Sequence, residues 1–476
     1  MASMADENKD ESKGPAFDWL PAGCQPMADG EYDAIVMGTG LKECIMSGLL
    51  STMGKRVLHV DRNNYYGADS ASLNLTNLFG KFHGGKEPEP KFFQVLGENR
   101  DYNVDLIPKC IMACGKLVKI LIKTKCNRYL DFKSLDASYV YRGGKVYKVP
   151  ATMEEALWSK LLGLFEKNRF RQFLTYLQQY DKDKPATHQG RDLTRMTARE
   201  LFAKFGLDKG TIEFVGHAMA LQRSDAYLDE PALPTAEAII LYCYSLSAYG
   251  SSPYIYPLYG LGGLPEGFSR ICAIHGGTFM LNRSVDEVLF DDTGKAWGVR
   301  GGDEVAKAPM LLGDPSYFTK YGKCTPVGRV VRSICFLNHA IPNTNNASSL
   351  QIIIPAAQLG RVNDIYVVLV SKSHEVAAEG KYIAICSTTV ETNDPIAELK
   401  PALNLLGPIL TKFDDVVDLH EPKEDGRADG CFISKSFDAT SHFETTSLDV
   451  MDLYKRVTGE DLDLTQIDAE ATNEDD

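Results

Sequence analysis

The chain has 476 residues, 44% of them hydrophobic and 24% charged, which suits a soluble protein of two or three domains, each able to bury its own core. Its formal net charge of −13 overstates the acidity of the body, because eight acids lie after Gly459 in a terminal stretch without Lys or Arg. A mildly acidic body excludes general nucleic-acid binding, and the 11 scattered cysteines, with no C-x-x-C pair, exclude a disulfide scaffold and point to a reducing cytosol.

Residues 1–30 are polar and lack the cationic-then-apolar order of a signal peptide, so they read as an extension. Ala34 to Met37 is a buried-strand run that enters the Gly38-Thr39-Gly40 turn. A helix to about Met53 and a second apolar strand, Arg56 to Val60, complete a β-α-β unit ending at Asp61. Cys110 and Cys114, in CIMAC, have the spacing of one helix face and read as buried thiols rather than metal ligands.

From Thr152 to Tyr180, Leu157, Leu161, Leu164, Phe165, Phe170, Phe173, Leu174 and Leu177 recur at spacings of three and four, the mark of amphipathic helix. Helical pattern continues over Thr197 to Phe205, with Thr194 as candidate cap, and over Thr211 to Leu221. Ala238 to Pro265 is free of charge. Its prolines, glycines, serines and tyrosines argue against a membrane span and for a buried helix leading into an aromatic loop. Strands are then expected at TFMLN, VDEVLFDD, KAWGVRGG and APMLLGD, at Leu350 to Ile354, Ile365 to Val370 and Tyr382 to Thr389. A last helix, Ser447 to Val457, precedes a tail expected to be disordered. The pattern predicts an α/β fold: a large domain over 31–145 and 236–458, built from a Rossmann-type unit and a mixed sheet. A helical domain over 146–235 is inserted in it, and 459–476 form an acidic tail.

The glycine turn raises the question of a cofactor. In G-x-G-x-x-G the first two glycines let backbone approach a pyrophosphate at a helix N-terminus, and the third packs helix on strand. Gly38 and Gly40 meet the first need and Asp61 stands where a ribose-binding acid belongs, but Glu43 replaces the third glycine. A carboxylate there repels a diphosphate, although an acid in a helix's first turn is itself favourable by ~0.3–1 kcal/mol. The C-terminal third lacks the Gly-Asp or Gly-Glu helix start that flanks the flavin in amine oxidases. No catalytic triad or zinc set is evident, and His59, His217, His275 and His442 are isolated and read as structural. The scaffold therefore looks reused, with no cofactor, no metal and no catalytic residue, while an FAD-dependent amine-oxidase-like enzyme stays open as the alternative from another class.

The blocks GTGLKECIMSGLLS, VLHVDRNNYYGADSASL, RDYNVDLIPK, YPLYGLGGLPEGFSR, GGTFMLN, YIAICSTTVET and FDATSHFETT closely resemble the Rab GDP dissociation inhibitors from Tyr32 to about Gly459. The related Rab escort proteins, which present Rab for geranylgeranylation, share that fold but are usually longer. What the resemblance implies is a large domain built like FAD oxidases but without flavin, plus a smaller helical domain, in a cytosolic carrier, transiently at membranes, that binds GDP-bound, geranylgeranylated Rab GTPases, slows GDP release, and extracts and recycles them. It implies Rab contacts at Tyr66, Arg100, Arg270, Thr278 and Met280, and a mobile effector loop carrying Ser252 and Tyr254. Three positions depart from the family pattern: Gly263 for a platform glutamate, Glu266 for a common glutamine, and Ala248 for an arginine.

Such a carrier needs apolar shelter for lipid worth ~0.8 kcal/mol per CH2. The helical region alone has apolar residues to spare, which puts Leu161, Leu164, Phe165, Phe173, Leu177, Phe214 and Ala218 in or beside a slot between helices.

Overall fold

The computed structural model describes residues 17–151, 155 and 163–465. A five-stranded sheet lies at its centre, in the order Thr278–Met280, Val57–Val60, Ala34–Met37, Met310–Gly313, Cys431–Ile433, with every neighbouring pair parallel. Parallel strands are buried on both faces, and side chains alternate between them. Ala34 and Val36 therefore join one core with the Leu41–Thr52 helix, while Ile35 and Met37 join a second core on the opposite face. That second face is covered by a four-stranded sheet whose outer strand, Gln25–Glu31, pairs in parallel with Glu304–Lys307. The polar extension expected over residues 1–30 is thus part of the fold by its end, and Trp19 packs edge-on against Trp297.

A seven-stranded sheet forms the other half, in the order Thr411–Pro422, Cys324–Leu337, Tyr382–Thr389, Ile365–Ser371, Leu350–Ile354, Ala137–Arg142, Lys145–Lys148. It is antiparallel except where Leu350–Ile354 meets Ala137–Arg142. One face carries its own core with the Lys400–Leu406 helix, and the other contributes to the main core. The helices Leu164–Gln179, Ala198–Phe205, Lys209–Phe214 and Ala232–Tyr249 pack together, and their buried residues run without interruption into that main core.

Several expectations are corrected. Cys110 and Cys114 do not lie on a helix: Ile111–Met112 is a strand against Tyr254–Pro257, and Cys110 bridges to His442. Thr197, not Thr194, caps the Ala198–Phe205 helix, forming a capping box with Glu200, while Thr194 bonds Asp192. The aromatic loop after the long helix is a strand, Tyr254–Pro257, buried in the middle of a three-stranded sheet. Leu462, in the stretch expected to be disordered, is 4% exposed and joins the main core.

Candidate functional site

The Gly38–Gly40 turn opens into a cleft of about 480 Å³ lined in part by Glu43, Asp61, Arg62, Tyr317 and Ser434. Gly38 needs its freedom: its φ is +89°, and a Cβ there would lie 3.0 Å from an Asp314 oxygen. The groups a dinucleotide would use are engaged within the protein. Asp61 accepts from the Thr39 amide at 2.6 Å and hydroxyl at 2.5 Å, and from the Asn63 amide at 2.7 Å. The Leu41 amide, at the helix N-terminus, donates to Ser70 Oγ at 3.1 Å. Glu43 folds back over the turn, its Oε2 2.5 Å from where a Cβ on Gly40 would stand, and its Oε1 accepts from Ser434 Oγ at 2.6 Å. Burial pushes its carboxyl up to about 7, with Lys42 opposing and Asp314 adding to the shift. These residues do not fit a flavin dinucleotide: the ribose acceptor is saturated, one phosphate donor is taken, and an acid covers the pyrophosphate approach.

One sequence-derived surface comes together around the open edge of the five-stranded sheet. Thr278 and Met280 lie on that edge strand, half-buried. The half-buried Tyr66 ring meets Phe279 edge-on at 6.1 Å and lies near Glu266. Glu266 and Arg270 are exposed on the Gly263–Ile274 helix, and the Arg270 guanidinium stacks 4.4 Å from the ring centre of Tyr129. Tyr129 and Phe279 have no motif that marks them in the sequence; they emerge only because separate segments meet. Arg100 is exposed in the short helix Asn99–Asp101, beside the Lys372–Glu375 turn, which Asn103 joins through the Glu375 carbonyl at 3.1 Å. Ser252 and Tyr254 are 1% and 0% exposed, so neither offers a free surface in this conformation.

The apolar set divides. Leu161 lies outside the described residues, and Leu164 begins the Leu164–Gln179 helix. Phe173, Leu177, Phe214 and Ala218 are buried core, with Phe173 packed on Phe202 at 5.6 Å and Phe205 at 5.4 Å, and Phe214 facing Phe170 at 6.0 Å. Phe165 points the other way and is 82% exposed. Glu166 ties these helices together, accepting from the Asp208 amide at 2.8 Å.

The helices are also latched to the large sheet. Val215–Met219 forms a π-helical turn, an irregularity that often marks functional segments. Its His217 is buried, with Nδ1 2.8 Å from Asp364 and Nε2 3.1 Å from Asp225. Burial alone would lower the imidazole, but bonds to Asp364 and then Asp225 hold it up at about 9. His59 and His442 are instead buried neutral, lowered to about 4 and about 3 by desolvation. Among the described residues no helix is long and apolar enough to cross a membrane, and no cluster of His, Cys, Asp and Glu could hold a metal.

A family model described as GDP dissociation inhibitor matches residues 28–469. The Rab GDP-dissociation inhibitor of Saccharomyces cerevisiae is 52% identical over 448 residues, spanning 93% of this chain and 98% of that protein. The crystal structure of a Rab GDI from Plasmodium falciparum superposes with a TM-score of 0.87 at 49% identity, covering 91% of this chain and 99% of that one. An oxidoreductase from Methanosarcina mazei superposes with a TM-score of 0.53 at 14% identity over 89% of this chain and 99% of its own, a likeness of fold alone.

Proposed function

This chain belongs to the GDP dissociation inhibitor family, and from that premise we propose that it is a cytosolic carrier that takes geranylgeranylated, GDP-bound Rab GTPases off membranes and returns them. It is a non-enzymatic regulator of Rab proteins. One observation carries the reading beyond family membership: Glu43 and its partners fill the dinucleotide turn, so a flavin-enzyme framework serves as a binding scaffold.

Work divides between two surfaces. Tyr66, Arg270, Thr278 and Met280, with Glu266 and Tyr129, form a platform for the GTPase globule, and Arg100 extends it. Arginine and tyrosine suit this use because they bury area while keeping their polar ends satisfied. A partner that holds the mobile switch segments of the GDP state raises the barrier to nucleotide escape. Gly263 leaves the start of the Gly263–Ile274 helix without the family's glutamate, and Glu266, one turn on, supplies an exposed carboxylate on the same helix.

The 146–235 helices shelter the lipid. Phe165 is the exposed first contact, and Phe173, Leu177, Phe214 and Ala218 part to admit the chain at the irregular Val215–Met219 turn. Ser252 and Tyr254, buried just after the Ala232–Tyr249 helix, act as the mobile effector loop only once this segment moves outward.

The test is the release of labelled GDP from prenylated Rab. Adding the protein at concentrations above its Kd is expected to slow release at least tenfold. Unchanged release would refute the assignment.

A further inference from the structure

Tyr259 is 62% exposed and has a φ of +66°. Left-handed backbone suits glycine or asparagine and disfavours a bulky aromatic. The conformation is nevertheless imposed from several sides. The Tyr259 amide donates to the His374 carbonyl at 2.9 Å, and the Leu258 amide to the Asp131 carbonyl at 2.9 Å. Immediately after it, the Leu261 amide donates to the buried Asp105 carboxylate at 2.8 Å, and the Gly262 amide to Ser72 Oγ at 2.7 Å. Gly260 fits against this clamp only without a side chain, since a Cβ would lie 2.5 Å from Ser72 Oγ.

The side chain held out by this clamp has no internal task. Among the described residues Tyr259 makes no ring pair, no cation–π contact and no side-chain hydrogen bond, so the backbone clamp alone holds the strain and the side chain adds no contact that offsets it. Strained positions that the surroundings over-determine gather at functional sites. A rigid, exposed tyrosine presents a large contact area at little entropic cost.

Its position gives the occupant. His374, which fixes its backbone, belongs to the Lys372–Glu375 turn that also anchors the Arg100 segment through Asn103. On the other side the chain runs through Gly260–Gly262 straight into the helix bearing Glu266 and Arg270. We propose that Tyr259 is a partner-contacting anchor that joins the Arg100 and Arg270 halves of the platform into one GTPase-binding surface. The inference rests on the platform reading above.

The experiment measures the Kd of GDP-loaded, prenylated Rab for the wild type, Tyr259→Ala, Tyr259→Gly and Arg270→Ala, with thermal unfolding alongside. Both Tyr259 variants are expected to bind roughly thirty-fold more weakly. Tyr259→Gly, which relieves the backbone, is expected to unfold at or above the wild-type temperature, separating contact from stability. Tyr259 variants within twofold of wild type beside a weakened Arg270→Ala overturn the anchor and leave the platform standing. Wild-type binding by all of them overturns both.

Discussion

Replacing His217 with glutamine removes the cation between Asp364 and Asp225 and leaves Asp364, 0% exposed in its side chain, without a charged partner. Breaking a buried pair from one side costs about 3–5 kcal/mol, so the variant is expected to lose about 3 kcal/mol at pH 6.5. The pH dependence follows from the imidazole, whose folded pKa of about 9 lies above the unfolded 6.5. Its stabilisation is complete below pH 6.5 and is lost as pH rises through 9. At 1.36 kcal/mol per pKa unit this is worth about 2 kcal/mol near pH 7.5, were the histidine alone concerned. Burial also raises the Asp364 carboxyl, so ionising the pair returns part of that gain, leaving about 1–2 kcal/mol. Chemical denaturation of wild type and His217→Gln at pH 6.5, 7.5 and 9.5 reads the gap directly, and NMR titration of the histidine ring protons reads the midpoint. A gap that stays constant with pH, or a His217 midpoint at or below 6.5, would refute the latch.

Four further outcomes are expected. The folded pKa of Glu43, about 7, lies above its unfolded 4.5, so its contribution to stability falls away between those values. Glu43→Gln is therefore expected to be more stable than wild type by about 2–3 kcal/mol above pH 7.5 and equal to it near pH 4.5, and parallel denaturation profiles would contradict this. Phe173→Ala, which empties a fully buried site, is expected to lose about 3–5 kcal/mol of stability, whereas Phe165→Asp should stay within about 0.5 kcal/mol. The Phe165 variant is expected to weaken binding of prenylated Rab about tenfold and leave unprenylated Rab unaffected; equal loss for both would remove it from the lipid site. Arg270→Ala is expected to cost about 2 kcal/mol of Rab affinity by calorimetry, and an unchanged Kd would show that its stacking on Tyr129 is structural.

Local signals carried the core of the fold. Ala34 to Met37, the glycine turn and Arg56 to Val60 are short apolar runs with punctuation, and they appear as Ala34–Met37, the Leu41–Thr52 helix and Val57–Val60. The long strand Cys324–Leu337 was hidden because Pro326 and Gly328 resemble breakers; here they flank a register shift against Thr411–Pro422, an edge strand whose charges obscure alternation. CIMAC has helical spacing, but Cys110 pairs with His442 from the far end of the chain, a tertiary choice that local periodicity does not encode. The same holds for the strand Gln25–Glu31, whose partner Glu304–Lys307 is distant in sequence. At the site, the glycine turn and Glu43 were visible as motif and departure. The proposed platform was legible only through resemblance, because Tyr66, Arg270 and Thr278 come from separate segments that share no spacing rule. The His217 latch escaped for a simple reason: its acids, Asp364 and Asp225, are ordinary surface-type residues until folding buries one of them.

The central claim is that a former dinucleotide framework now carries lipidated GTPases, and membrane extraction tests it most directly. Vesicles bearing prenylated Rab, loaded with GDP or a non-hydrolysable GTP analogue, are incubated with the protein and sedimented. The account predicts that GDP-loaded Rab appears in the supernatant as a complex with this chain, while GTP-loaded Rab stays with the pellet. Extraction indifferent to nucleotide, or none with GDP, would contradict it.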